Sequence, residues 1–197
     1  MKKIIILFIS LILLTGCNEK TQNPIVKMEI EDYGEITIEL YPDLAPNTVA
    51  NFVNLIEEGF YDGLTFHRSV PGFVLQGGDP LGDGTGGCGY TINGEFSANG
   101  FTKNTLSHTR GVISMARSND YNSAGSQFFI VLDDTAKYSL DGLYAGFGRV
   151  TQGMDIIDEI VEDEKVADDI TGKLEENVVI TKVTVDTFGE TYNVEKN

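Results

Sequence analysis

The sequence is poor in the residues that cross-link chains or bind metals. Among 197 residues it has two cysteines (Cys17 and Cys88), two histidines (His67 and His108) and no tryptophan. Two cysteines cannot build a disulfide framework, and the four side chains show none of the spacings typical of a zinc cluster. We therefore expect no metal site.

Positive charge is also scarce. Lysine and arginine together number 14 against 30 aspartates and glutamates, which gives a net charge of −16. A surface of this sign repels the phosphates of nucleic acids and anionic lipid headgroups. The composition argues against a nucleic-acid-binding protein and otherwise fits a soluble globular body.

The long hydrophobic run of the sequence lies at its start. Residues 4–14 are apolar except for one serine, and they follow the basic residues Lys2 and Lys3. As a helix this run would span roughly 17 Å, which is too short for a hydrocarbon core of about 30 Å. A basic start followed by a short apolar run predicts a signal peptide over residues 1–16.

The four residues Leu14–Cys17 resemble the bacterial lipobox, in which the cysteine thiol is diacylated and the chain is cut just before it. We expect a lipid on Cys17, since two acyl chains suffice for stable anchoring, and a short polar tether over residues 17–24. This predicts a protein attached to the extracytoplasmic face of the cell membrane. The alternative is an ordinary secretory signal with an incidental cysteine.

The rest of the chain alternates short apolar stretches with glycine-rich turns. Two stretches, 46–58 and 152–164, have the apolar spacing of helices. Strands are predicted from two-residue alternation or short apolar runs at residues 25–31, 35–41, 64–70, 73–76, 111–116, 127–132, 143–150 and 178–185.

The order of these elements restricts the fold class. There is no internal repeat, no linker and no regular strand–helix alternation, which excludes a doubly wound sheet and favours a barrel or sandwich with helices packed outside. We expect one domain over residues 25–188, with a polar segment at 164–177, followed by a tail over residues 189–197.

Motifs that would indicate other functions are weak. Residues 82–87 match the G-x-G-x-x-G pattern of dinucleotide-binding loops, but they lie in a turn-rich segment and no helix follows. The same loop lacks the spacing of EF-hand calcium ligands. The chain contains no G-x-S-x-G elbow, so a serine hydrolase is poorly supported.

One arginine occupies an unusual position in a predicted strand. If the strand is regular, Arg68 shares a face with the apolar residues Phe66 and Val70. An arginine on an apolar face is costly unless it is hydrogen-bonded or functional. Gln76 on the neighbouring predicted strand is the expected partner. From these residues alone, a structural and a functional role for Arg68 are equally open.

Residues 66–79, FHRSVPGFVLQGGD, resemble the FHR-x-x-PGF-x-x-QGGD block of the cyclophilin family of peptidyl-prolyl cis-trans isomerases. The similarity extends from about Val26 to Val185. It implies a mainly β fold, a closed eight-stranded antiparallel β-barrel capped by two α-helices. Further matching segments follow in the expected order at residues 84–87, 111–116, 125–130, 140–142 and 147–148.

The resemblance also implies roles for individual residues. Arg68 corresponds to the family's catalytic arginine, and Gln76 to the glutamine that holds it. The chain departs from the family in lacking a tryptophan at the pocket rim, a residue that supports cyclosporin binding, and in having Arg117 in place of a small polar residue. Tyr144 stands where many members have a histidine. The implied substrate-binding residues are His67, Phe73, Val74, Gln76, Ala116, Arg117, Gln127, Phe129, Leu140 and Tyr144.

From the resemblance we expect an enzyme that accelerates rotation about X-Pro imide bonds in exported or surface proteins during folding. The reaction has a barrier of about 18–20 kcal/mol but breaks no covalent bond, so it requires no nucleophile, metal or cofactor. The partners are X-Pro-containing polypeptides, and nothing in the sequence demands more than a monomer. The alternative is a non-catalytic chaperone that binds proline peptides in the same groove.

Overall fold

The computed structural model describes residues 22–197, so the predicted signal peptide and Cys17 lie outside the described residues. The described chain forms three α-helices, none of which is both long enough and apolar enough to cross a lipid bilayer. The helices are α1 Pro46–Glu57, α2 Lys137–Leu140 and α3 Met154–Asp163. The strands are β1 Ile25–Ile30, β2 Gly34–Leu40, β3 Thr65–Val70, β4 Val74–Asp79, β5 Val112–Met115, β6 Phe128–Val131, β7 Gly146–Gln152, β8 Val166–Asp168 and β9 Lys173–Asp186.

Eight of the strands close into an antiparallel barrel. Their order is β1-β2-β7-β5-β6-β4-β3-β9, and β9 pairs back onto β1 with Val26 opposite Val185. Closure leaves these strands no unpaired edge. The predicted mainly β fold, a closed eight-stranded antiparallel barrel, is confirmed.

The sequence did not predict two short elements. β8 pairs with the start of β9, with Val166 opposite Leu174, so part of the segment 164–177 is a hairpin at the side of the barrel. α2 is a single helical turn of four residues. Both elements are too short to show a period in the sequence, and neither is a continuous apolar run like those that predicted β5 and β6.

The inward-facing strand residues and one face of each long helix fill the core. Along β1 the residues alternate between buried and more exposed positions, as expected for a strand with one face inside a barrel. From α1, the ring of Phe52 lies 4.9 Å from that of Tyr61 and 5.0 Å from that of Phe147. From α3, Ile157 and Ile160 are buried. These are the two helices that the sequence predicted.

The tail beyond β9 lies along α1. The Asn47 side chain donates to the Glu195 carbonyl (3.0 Å), and the Glu195 amide donates to Asn47 Oδ1 (2.7 Å). Tyr192 and Val194 pack against the hydrophobic core. Residues 189–197 therefore contact the domain along much of their length.

A distant carboxylate caps the start of α1. The N-cap residue, Ala45, has no side-chain acceptor for the free amides of the first turn. Glu95, which is 5% exposed, accepts hydrogen bonds from the amides of Asn47 (3.0 Å) and Thr48 (2.7 Å) and from the Thr48 hydroxyl (2.6 Å). Its negative charge also faces the positive end of the helix dipole. The loop that carries Glu95 is thereby fixed to α1.

Replacing Glu95 with alanine is expected to lower the free energy of unfolding by about 2 to 3 kcal/mol, because two amides and a hydroxyl at a buried helix end lose their acceptor. Glu95→Gln keeps one acceptor oxygen and should cost less. Urea unfolding followed by circular dichroism measures both changes. A Glu95→Ala protein as stable as the wild type would contradict the capping role.

Candidate active site

A β-bulge in β3 decides where Arg68 lies. Phe66 pairs with Gly77 of β4 and Arg68 pairs with Gln76, so His67 is an extra residue in the strand. Phe66 packs in the barrel core, whereas Arg68 lies on the outer face beside Gln76. The prediction that Phe66 and Arg68 share a face was wrong, because the bulge interrupts the two-residue period.

Two acceptors hold the Arg68 guanidinium. Nε donates to the Thr171 carbonyl (2.6 Å) and Nη1 donates to Gln76 Oε1 (3.2 Å). Nη2 donates to no other group within residues 22–197, so its N–H groups can serve a ligand. Burial lowers the pKa of Arg68, and Tyr144 opposes that shift. The side chain still stays charged, because arginine loses its proton only far above neutral pH.

A chain of hydrogen bonds between side-chain amides leads from Gln76 to the neighbouring loop. Gln76 Nε2 donates to Gln127 Oε1 (2.9 Å). Gln127 Nε2 in turn donates to the carbonyls of Gly84 (3.1 Å) and Gly86 (2.9 Å). The glycine-rich loop that the sequence matched to the family at 84–87 therefore orients Gln127, which orients Gln76, which in turn holds Arg68.

Thr171 was missed by the sequence analysis because it lies in the hairpin between β8 and β9. Gly172 has φ +75°, and its carbonyl accepts from the Ser69 amide (2.8 Å). A Cβ at residue 172 would lie 2.6 Å from the Ser69 carbonyl, so glycine permits the close approach of the hairpin to β3. That approach brings the Thr171 carbonyl to Arg68. The glycine at position 172, within the polar segment 164–177, is the turn signal that could have indicated the hairpin.

An apolar surface adjoins Arg68 on the same outer face. Arg68, Gln76, Phe129 and Ser114 are direct partners across β3, β4, β6 and β5. A cluster separate from the barrel core, the outer apolar cluster, forms around Phe129, whose ring lies edge-on to Tyr144 with centroids 5.7 Å apart. It contains the predicted pocket residues Phe73, Val74, Ala116, Phe129, Leu140 and Tyr144.

Polar contacts centred on the buried His108 support this cluster. His108 Nδ1 lies 2.9 Å from Asp141 Oδ1, and His108 Nε2 lies 2.9 Å from Ser114 Oγ. The order Ser–His–Asp is that of a hydrolase triad, but Ser114 is 0% exposed and cannot reach a substrate. The contacts instead fix Asp141 and hence its neighbour Leu140 in the outer apolar cluster.

A groove of about 460 Å³ continues from the same site. Residues from three segments, 84–91, 116–118 and 123–127, line it together with Gln76. Four predicted substrate-binding residues thus share this groove, namely Gln76, Ala116, Arg117 and Gln127. Tyr90, Thr91, Ser118 and Ser123 also line it and were not predicted.

His67 does not lie where the sequence predicted. It is 3% exposed, and the structure describes no hydrogen-bond partner for either ring nitrogen within residues 22–197. The ring is therefore buried, and His67 is not among the residues that line the groove. Burial lowers the pKa of His67, and the nearby Asp79 opposes the shift.

The charged donor and the apolar surface lie side by side on the outside of a closed antiparallel barrel, an arrangement suited to binding a short apolar segment of a peptide chain. Residues 25–185 match the family model described as cyclophilin type peptidyl-prolyl cis-trans isomerase/CLD. The chain belongs to the cyclophilin-type peptidyl-prolyl cis-trans isomerase family, and it is an enzyme of that activity.

Individual relatives agree with this membership. Peptidyl-prolyl cis-trans isomerase B of Bacillus subtilis (strain 168) is 52% identical over 126 residues, which cover 64% of this chain and 82% of that protein. A Synechococcus elongatus peptidyl-prolyl cis-trans isomerase is 48% identical over 116 residues, covering 59% and 73%. The crystal structure of a Cryptosporidium parvum cyclophilin with the dipeptide Ala-Pro aligns with a TM-score of 0.69 at 29% identity, covering 82% of this chain and 98% of that one.

The start of the chain also matches a known pattern. Residues 1–18 fit the prokaryotic membrane lipoprotein lipid attachment site. The match includes Cys17, the residue for which the sequence predicted a lipid.

Acid is expected to destabilise the fold through its two histidines. Burial lowers the pKa of His67 and of His108, so each gains its proton at a lower pH in the folded protein than in the unfolded chain, where histidine titrates at about pH 6.5. The free energy of unfolding should therefore fall between pH 7.5 and 5, by up to about 1.4 kcal/mol per pH unit for each histidine. Asp141 adds to this loss only at more acidic pH, as the pH falls below the ordinary aspartate value of 3.8 toward the lowered pKa of the folded protein.

Urea unfolding at several pH values measures this dependence, and His67→Leu should make it shallower by removing one of the two groups. A wild-type protein equally stable at pH 7.5 and pH 5 would contradict the neutral burial of both rings.

Proposed function

We propose that this isomerase acts on X-Pro bonds of exported polypeptides at the outer face of the membrane, with Arg68 as its catalytic residue. The observation that carries the proposal is the position of Arg68. Gln76 and Thr171 hold its guanidinium beside the outer apolar cluster, and Nη2 is left to donate to a ligand.

The reaction is a rotation about the X-Pro amide bond, and its barrier has to be lowered. Amide resonance sets a barrier of about 18–20 kcal/mol, and uncatalysed X-Pro rotation takes on the order of tens to hundreds of seconds. Because no covalent bond changes, the enzyme needs only to bind the twisted amide more tightly than either planar form.

Twisting localises the lone pair on the prolyl nitrogen. An N–H of Arg68 donates to that nitrogen or to the preceding carbonyl oxygen, a charge-assisted bond worth roughly 1.5–3 kcal/mol. An acceleration of about 10⁶-fold needs about 8 kcal/mol. Arg68 therefore supplies part of the effect. The remainder comes from holding the ring in a site that excludes water.

The outer apolar cluster holds the proline ring. Phe129 and Leu140 are 4% exposed and Val74 is 3% exposed, so they form a firm floor, and the partly exposed Phe73 and Tyr144 form the rim. The flanking peptide lies along the groove past Gln76, Ala116 and Gln127. The Ala-Pro dipeptide named with the Cryptosporidium parvum relative supports a proline-binding site on this fold.

Lipid on Cys17 places the enzyme at the membrane. The match of residues 1–18 to a lipid attachment site supports this acylation. Polypeptides that fold after export then meet the isomerase at the surface where they emerge.

Replacing Arg68 with alanine should lower kcat/KM on an X-Pro peptide by about 10- to 100-fold, since 1.5–3 kcal/mol of transition-state stabilisation is lost. Arg68→Lys keeps the charge, but a lysine lacks the forked donors that reach Gln76 and Thr171 at the same time. We therefore expect it to recover little activity. A protease-coupled assay measures turnover. Arg149→Lys, whose guanidinium donates to the Arg110 carbonyl and the Thr109 hydroxyl, is the matched control.

Unchanged turnover in Arg68→Ala, with a wild-type unfolding curve, would refute the catalytic role. If the wild type bound X-Pro peptides without accelerating their isomerisation, the non-catalytic chaperone would be the better account.

Substituting Cys17 with serine should release the protein from the membrane, because the acyl chains have no thiol to join. Fractionation of cells followed by immunoblotting detects the change, and Cys88→Ser serves as the control that should stay membrane-bound. Persistent membrane association of Cys17→Ser would point to a different anchor.

A further inference from the structure

We propose that Arg117 is a positioning residue that fixes Tyr144 at the rim of the outer apolar cluster and so controls how tightly the proline ring is held. The inference rests on the proposed function of that cluster. The family resemblance implied that Arg117 contacts substrate, whereas the contacts of its guanidinium are with the protein itself.

An aromatic cage surrounds the guanidinium. Its central carbon lies 4.5 Å from the ring centroid of Tyr144, 4.8 Å from that of Tyr121 and 5.3 Å from that of Phe96. Phe96 and Tyr121 are themselves edge-on at 5.3 Å. Cations favour the faces of aromatic rings, so Tyr144 is drawn toward the two rings on the far side of Arg117.

Hydrogen bonds tie the same side chain to the backbone on both sides. Nε and Nη2 donate to the Leu143 carbonyl at 3.1 Å and 2.9 Å, and Nη1 donates to the Ser118 carbonyl at 2.8 Å. Arg117 therefore connects the 117–118 segment, which lines the groove, with the 143–144 turn. A lysine cannot make this flat, forked set of contacts.

Tyr144 has few other restraints. Its amide donates to the Leu140 carbonyl (3.2 Å), and its ring meets the edge of Phe129. The neighbouring Leu143 is 39% exposed, so the turn lies at the surface. Without Arg117, the ring would sample more orientations and the rim would be less well formed.

We expect replacement of Arg117 to weaken substrate binding more than it slows the catalysed rotation. Arg117 makes no contact with Arg68, Gln76 or Thr171, whose hydrogen bonds stay intact when Arg117 is replaced. The rim holds the proline ring in the ground state and in the twisted state alike, so its loss should raise KM more than it lowers kcat.

A double-mutant cycle tests the inference. Arg117→Lys should raise KM for an X-Pro peptide by about three- to tenfold with kcat within about twofold of wild type. In a Tyr144→Leu background the same substitution should change KM by less than about twofold, because its effect passes through that ring. Arg149→Lys, whose guanidinium donates to the Arg110 carbonyl and Thr109, should leave both constants unchanged.

Equal effects of Arg117→Lys in both backgrounds, or a loss of kcat alone, would overturn the inference. NMR of the Tyr144 ring, assigned through Tyr144→Phe, gives a readout independent of turnover. The signals should shift or broaden in Arg117→Lys, and unchanged signals would also overturn it. A wild type without isomerase activity would refute the proposed function, while the ring signals would still test the positioning role.

Discussion

The hydrogen bonds that hold the Arg68 guanidinium are the constraint on which the site depends. A charged group next to an apolar surface costs free energy unless its donors find acceptors. Gln76 and Thr171 satisfy one side of the guanidinium and leave the other side for a ligand. The positive charge is thereby preorganised, so it does not have to reorient when a peptide twists.

The strand pairing of the barrel brings the residues of this site together from distant parts of the chain. Pairing across β3, β4 and β6 places Arg68, Gln76 and Phe129 in one row on the outer face. Around that row, polar contacts fix the apolar elements. The ring of His108 lies within hydrogen-bonding distance of the Asp141 carboxylate, and Arg117 donates a hydrogen bond to the Leu143 carbonyl. The surface is therefore apolar where we propose that the proline ring binds, and hydrogen bonds fix the segments around it.

The sequence predicted what depends on local pattern. Two-residue alternation indicated β1 and β2, and helical spacing indicated α1 and α3. The family block indicated the neighbourhood of Arg68 and Gln76. The bulge at His67, by contrast, appears in no periodicity, because a bulge is defined by the partner strand.

Other features depend on contacts between residues far apart in the chain. The Thr171 carbonyl binds Arg68 across 103 residues of sequence, and Glu95 caps α1 by accepting from the amide of Asn47, 48 residues earlier. Composition and spacing carry no signal for such pairs. The aromatic cage of Arg117 likewise joins three separate segments, so a residue that the family pattern implied as a substrate contact has a guanidinium engaged by the protein.

The most direct measurement is the NMR signal of the Arg68 side-chain N–H groups during titration with an X-Pro peptide, with Arg68→Lys providing the assignment. The account predicts that the Nη signals shift and exchange more slowly with water when the peptide binds, because they donate to the imide. A peptide that is isomerised while these signals stay unchanged would contradict it.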